Sequence, residues 1–548
     1  MAAPVSAQHL PDSTIKKIDS LFKQWDTKTS PGSAIGIVRN DSLIYAKGYG
    51  MANLEYEIPI TPETIFDMAS VSKQFTAFSI VLLARQGALN LDEDIHRYLS
   101  WFPDLKEKIT LRNLLNHTSG IRDAYQLLGI MGTRPDDVNT QEDLIRVLTK
   151  QQFLNFKPGT EYRYSNSNYN LLAEIVKSVT GKTLRQFTDS VIFKPLGMKN
   201  THFHDRYNEV ESNRAYGYWQ AGKNKDHYGN AILSSASTGP ASLFSNINDM
   251  SKWIMNFYST RAGDLQDIAQ LTQKGRLNDG KELQYALGIE VDSLYGERRY
   301  QHSGWEAGYR TFISVFPDLK MGFIVFSNLG DFKPQFAANQ MAGLFIKDPS
   351  PKKNPAPAYT DSSLAVLKDP AAMKKFTGNY IADDHVEFGF WLVNNKLHLG
   401  PSNGKGPALV PLAKDSFEVF TNPEVKFVFS LNSKNEKVVD EYWPEKRSRH
   451  LVMYDTTTKP DKILQTYTGT YYCPELDCNY HIVLKDHHLM LAGNKLGDIP
   501  LTLYGNDWLA NDTWYMGNIM ILRNRKNQIT GFEVDADRVD HLWFKKTE

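Results

Sequence analysis

The chain contains a copy of one of its own parts. Phe376-Thr-Gly-Asn-Tyr380 returns as Tyr467-Thr-Gly-Thr-Tyr471, and His450-Leu-Val-Met-Tyr454 as His541-Leu-Trp-Phe-Lys545, both 91 positions further on. Between them, Lys396-Leu-His-Leu399 and Pro411-Leu412 find counterparts in His488-Leu-Met-Leu491 and Pro500-Leu501. Two copies make a duplication rather than a solenoid, which needs at least three stacked repeats to bury its core. Each copy alternates short apolar runs with turn residues, the pattern of a small antiparallel barrel or sandwich. Ahead of the first copy, four prolines fall within Asp348–Ala358, and neither a helix nor a central strand continues through such a stretch. At 548 residues the chain is too long for one hydrophobic core. The expected division is residues 1–347, a linker at 348–361, a first repeat at 362–457 and a second at 458–548.

The first 347 residues mix both element types. Gly32–Val38 and Ser42–Gly48 read as strands joined by a turn at Asn40-Asp41. Residues 70–86 read as a helix that is apolar on most sides and stops at Gly87; such a helix is normally buried in the middle of its domain. Further helices are expected near 140–150 and 168–180. Strands follow near 298–303, 309–316 and 321–327, and a helix at 333–346 closes the segment. Strands at both ends with helices between predict an α+β domain: one antiparallel sheet flanked by helices. The expected whole is that domain followed by two all-β barrels.

Lys plus Arg and Asp plus Glu both total 62, so the formal net charge is zero. No basic stripe is present for a phosphate backbone, and nucleic acid is not an expected partner. The longest purely apolar run, Ile80–Ala84, is far short of a membrane span. Val5-Ser6-Ala7 resembles the small-residue end of a secretory signal, without the apolar stretch that should precede it. Cys473 and Cys478 are close enough in sequence to close a small disulfide loop, or to remain a thiol pair. The expectation is a periplasmic or secreted protein.

Three short motifs carry chemistry. Ser70-Val-Ser-Lys73 sets a hydroxyl and an amine one helical turn apart on one face. At the head of a buried helix the serine amide points towards a developing oxyanion, and desolvation lowers a lysine pKa until the amine can take the serine proton. The same spacing starts at Ser13, Ser20, Ser350 and Ser402, but in polar, lysine-flanked or proline-rich ground that reads as surface. Tyr164-Ser-Asn166 offers a phenol whose pKa a nearby ammonium would lower, and an amide able to hold the lysine or a substrate carbonyl. His302-Ser-Gly304 lies on an expected strand just before Trp305. Gly304 would let a substrate backbone approach there, and the next amide could complete an oxyanion hole.

Taken together these motifs resemble those of the penicillin-recognising serine hydrolases of the class C β-lactamase type, a group that includes D-aminopeptidases, D-Ala-D-Ala carboxypeptidases and esterases. The resemblance spans residues 12–347. It rests also on Thr64–Thr76, Leu89–Ile95, Ile109–Gly120, Pro158-Gly159 and Ser327-Asn328. It implies that Ser70 is acylated, that Lys73 and Tyr164 share the proton work, and that the Ser70 and Trp305 amides form the oxyanion hole. Asn166, His302 and Gly304 are implied to line the substrate site. No metal or organic cofactor is implied, the partners are small peptides, amides or esters, and a homo-oligomer is allowed. The family's β-lactamases and carboxypeptidases usually carry Lys-Thr-Gly where this chain has His302-Ser-Gly304, which weakens recognition of a substrate carboxylate. Histidine there, and two appended eight-stranded barrels, resemble the D-aminopeptidases. The expected activity is therefore D-specific aminopeptidase or amidase, with carboxylic esterase and a slowly acylating peptidoglycan- or penicillin-binding protein or β-lactamase as alternatives.

Other signals are read as structural. His202 and His204 alternate as metal ligands can, but read as a surface strand end. His117 reads as a hydrogen-bonded packing residue, and Asp486-His487-His488 as a solvated hairpin turn. The aromatics of residues 376–548 are needed for barrel interiors, which weighs against a sugar-binding face.

Overall fold

Ser33–Arg39 (β1) and Ser42–Tyr49 (β2) form a hairpin that turns at Asn40, where φ is +52°. In this computed structural model they join strands from the other end of the first segment: Glu290–Leu294 (β6), Glu297–Glu306 (β7), Tyr309–Phe316 (β8) and Met321–Ser327 (β9). The sheet order is β6-β7-β8-β9-β1-β2, antiparallel throughout, with Ser33 opposite Ser327 and Arg39 opposite Met321. The structure describes residues 10–222, 227–347, 370–382, 387–400, 406–420, 422–433, 435–442, 448–454, 459–493, 495–505 and 507–547. The proline-rich linker, Val5-Ser6-Ala7, Ser350 and Ser402 lie outside them.

Strands β8 and β9 are buried from end to end, as expected of central strands covered on both faces. One face packs Ile35, Phe312, Phe323 and Val325 against Ile18 and Phe22 of helix α1 (Asp12–Phe22), and against Ala338 and Met341 of helix α5 (Pro334–Ala342). The opposite face takes helix α4 (Ile247–Asn256) so closely that a Cβ at Gly36 would sit 2.6 Å from Ile247 Cγ2. Behind α4 runs helix α2 (Lys73–Arg85), in which every residue from Lys73 to Leu83 is buried. It starts later than the apolar pattern predicts. Ala69–Ser72 form a tighter 3-10 turn first, because Asp67 accepts the Ala69 amide and Ala69 is held at φ +46°. Ser70 therefore sits in that turn, three residues before the α-helix proper.

A second, three-stranded sheet flanks the turn. Its middle strand is Leu243–Ser245 (β5), paired on one side with Phe66–Asp67 (β3) and on the other with His202–Phe203 (β4).

The chain divides into two compact units, residues 1–128 with 133–351, and residues 352–548 with Gly129–Gly132. Both repeats fall in the second unit. The second repeat is a closed eight-stranded barrel, from Gly469–Cys473 to Val539–Lys546, sealed where Tyr471 pairs with Lys546. The first repeat is an eight-stranded sheet whose edge strands meet at a bridge between His398 and Ala408. The duplication is visible in the backbone: Lys374–Phe376 and Gln465–Tyr467 are both 3-10 turns, and Gly378 and Gly469 follow at φ +150° and +148°. The aromatics fill the interior, with Phe376, Phe390, Phe417 and Phe429 packed ring to ring at 4.9–5.6 Å. Cys473 and Cys478 stand opposite each other at a hairpin end as thiols, not joined by a disulfide. Asp486 and His487 form the expected turn, and His487 reaches Asp461.

Candidate active site

Lys73 is completely buried, and its ammonium is met by a set of acceptors and aromatic faces. Nζ donates to Ser70 Oγ at 3.0 Å, to Asn166 Oδ1 at 2.9 Å and to the Pro240 carbonyl at 2.9 Å. It lies 4.7 Å from the centre of the Tyr164 ring and 5.6 Å from that of Tyr169, within cation–π range of both. An ammonium taken out of water needs this many partners to remain in place.

Each neighbour is positioned by a different element. Asn166 opens helix α3 (Asn166–Thr180), whose first amide donates to Asp123 Oδ2 at 2.7 Å. Asp123 thus satisfies an otherwise free helix-terminal donor and favours the positive end of the helix dipole. His117 is the buried packing residue expected: its ring lies 4.2 Å from the Tyr164 ring, and Nδ1 is 3.1 Å from Asn168 Nδ2. The Ser70 turn is pinned from below, where Thr311 Oγ1 donates to the Met68 carbonyl at 2.8 Å and the Leu243 amide donates to Ser72 Oγ at 3.1 Å.

Gly304 has a different role from the one its motif indicates. A Cβ there would lie 2.1 Å from Thr311 Oγ1 and 2.4 Å from the Met68 carbonyl oxygen. The glycine admits the protein's own Met68–Ala69 turn against β7. Trp305, next along, is 73% exposed, and its ring stacks under the Arg310 guanidinium at 4.1 Å. Its amide lies on the strand that packs against the Ser70 turn.

His302 is buried, with Nδ1 2.6 Å from the Ser303 carbonyl and Nε2 3.1 Å from the Tyr285 hydroxyl. A carbonyl only accepts, so Nδ1 carries the hydrogen and Nε2 accepts from Tyr285. Burial, reinforced by the Lys73 charge, lowers the His302 pKa to about 3. The ring is therefore neutral at physiological pH. Two carboxyls nearby shift the other way. Burial raises Glu306 to about 7, against the pull of Lys73 and Arg310, and burial with the Glu306 charge pushes Asp67 well above the usual carboxylate range.

The structure thus gathers Ser70, Lys73, Tyr164, Asn166 and His302 around one point. The motifs do not reveal Tyr285, which holds His302, or Asp123, Thr311 and the Pro240 carbonyl. A carbonyl has no side-chain signature, and Tyr285 stands outside any motif. Only Asp123, three residues beyond the Ile109–Gly120 stretch, was within reach of the sequence. The His202–His204 reading also needs correction: His204 is only 2% exposed and His202 half-buried, so the surface reading fails for His204.

The Beta-lactamase family profile matches residues 18–345. D-aminopeptidase of Brucella anthropi is 29% identical over 287 residues, covering 51% of this chain and 52% of that protein. Penicillin-binding protein 4* of Bacillus subtilis is 25% identical over 396 residues, covering 70% and 87%. The chain spans about half the length of the D-aminopeptidases it matches. Among solved structures, the octameric penicillin-binding protein homologue from Pyrococcus abyssi aligns over 80% of this chain and 98% of its own, at 24% identity and TM-score 0.55. D-amino acid amidase from Ochrobactrum anthropi aligns over 60% and 97%, at 20% identity and TM-score 0.52. Both likenesses are of fold.

Proposed function

The chain belongs to the beta-lactamase family, and from that premise we propose that it is a serine hydrolase that cleaves an amide next to a D-configured residue through a Ser70 acyl-enzyme. The observation that carries this reading is the 3.0 Å contact between Lys73 Nζ and Ser70 Oγ inside a buried, fully partnered network. That distance is within reach for proton transfer.

In this reading the unprotonated Lys73 amine takes the Ser70 proton as Oγ attacks the substrate carbonyl carbon. The Ser70 and Trp305 amides receive the oxyanion, where fixed donors stabilise the charge only as it develops. Collapse of the tetrahedral intermediate breaks the amide bond, and Tyr164 or Lys73 delivers the proton to the departing amine. Water then attacks the ester by the reverse proton path and frees Ser70. Asn166 keeps Lys73 aimed at Oγ throughout.

Two observations support an aminopeptidase or amidase over a β-lactamase or carboxypeptidase. The neutral His302 offers no cation to a substrate carboxylate. Relatives that match about half of the chain bear the name D-aminopeptidase. Hydrolysis of D-alanine p-nitroanilide, beside its L-isomer and p-nitrophenyl butyrate, tests this with Ser70→Ala as control. Preference for the D-anilide, lost in Ser70→Ala, is expected. Turnover of the butyrate alone would leave an esterase on the same frame, and turnover surviving in Ser70→Ala would remove Ser70 from the mechanism.

A further inference from the structure

Away from the Ser70 cleft, a buried histidine, His204, stands beside a half-buried one, His202. Among the described residues, no hydrogen bond reaches either ring nitrogen of His204 or Nε2 of His202. The two residues sit at alternate positions at the end of β4, so their side chains share one face, and their ring centres are 5.8 Å apart. The His204 ring lies flat on Phe244 at 4.3 Å, which fixes its plane. Glu209, in the segment that follows, brings a carboxylate to the same place: one ligand atom each from His202, His204 and Glu209 falls within 4.8 Å of the others. Glu211 adds a second carboxylate, with Oε2 3.4 Å from His202 Nε2.

We propose that His202, His204 and Glu209 form a binding site for one divalent transition-metal ion of the zinc type, with Glu211 within reach as a fourth ligand. Two imidazoles with one or two carboxylates are a ligand set that zinc takes in four-coordinate geometry. Bonds of about 2.0–2.1 Å would place tetrahedral ligand atoms roughly 3.4 Å apart, so side-chain rotation alone must draw the present cluster together. Arg185 already grips Glu209 at 2.6 and 2.9 Å and Asp205 at 2.9 Å. A carboxylate has lone pairs for a guanidinium and a metal together, so Arg185 becomes the outer support that orients the ligand.

The consequence is structural. β4 pairs with β5, and β5 pairs with β3, which ends three residues before Ser70. An ion tying β4 to Glu209 would brace the outer edge of the ladder that carries the Ser70 turn.

The test is to strip the untagged full-length protein of metal and titrate it with Zn2+, then with Co2+ as a spectroscopic probe. One ion per chain, a visible absorption band of tetrahedral Co2+ and a rise in Tm of a few degrees are expected. His204→Phe, which keeps the ring stacked on Phe244, and His202→Gln should each weaken binding by about 100-fold or more. Ser70→Ala should bind as the wild type does. Absence of saturable binding in the stripped wild type would overturn the site, as would binding undiminished in both histidine variants or lost in Ser70→Ala. Should His204→Phe fail to fold, the Co2+ spectrum of the wild type and the His202→Gln titration decide.

Discussion

Two polar clusters hang from the same three-stranded ladder and differ in one respect. On the β3 side, Lys73 is buried and donates to three acceptors. On the β4 side, His204 is buried and bonds to none among the described residues. A buried polar group left unpaired carries its full desolvation cost, so such groups are rarely kept without a partner. The first cluster is organised before any ligand arrives. The second is organised around something still to come. One arrangement suits chemistry that must not wait for reorganisation, and the other suits a bound ion.

Lys73→Ala is the most severe way to separate the two. Hydrolysis should fall by about 10³-fold or more, whereas zinc uptake at His202 and His204 should not change. A fall in both would mean that the clusters act as one. Next comes Gly304→Ala, which forces a methyl into the Met68 carbonyl and should destabilise the fold by about 1–3 kcal/mol in urea unfolding while slowing turnover. His204→Phe should slow turnover less than twofold, and a larger loss would show that the β4 edge reaches the chemistry.

Glu306→Gln probes the electrostatics of the first cluster. The folded carboxyl titrates near pH 7, above its ordinary value of 4.5, so the folded state holds that proton more tightly than the unfolded chain. Its contribution is intact below pH 4.5 and is lost as the pH rises through 7. The glutamine variant escapes that loss. It should be more stable than wild type by about 3 kcal/mol at pH 8 and equal to it at pH 4, as read from unfolding midpoints. Equal stability at both pH values would mean that Lys73 and Arg310 fully compensate the buried charge. The smallest effect is expected of Tyr285→Phe. It removes the donor to His302 Nε2 and should cost about 1 kcal/mol without conferring a preference for carboxylate substrates.

Much of this was open to reading in the chain alone. The 91-residue echo announced two similar β-structures, because short alternating runs with regular turns have few other ways to bury one face. The apolar run after Ser70 announced a buried helix, and the Ser70, Tyr164 and His302 motifs named the elements that meet. Those signals are local, and local spacing is what a sequence records directly.

The tertiary structure decided the rest. Gly304 reads as space for a ligand until Met68 and Thr311 are seen to fill that space. His302 reads as a replacement for a lysine until Tyr285 and the Ser303 carbonyl fix it as a neutral ring. His202 and His204 read as an exposed strand end until Phe244 covers one and Glu209 comes round to meet both. Each outcome turns on partners remote along the chain or on a backbone carbonyl, and on the burial they impose. Sequence set which groups are present; only the packed fold set which are charged, which are satisfied and which still await a partner.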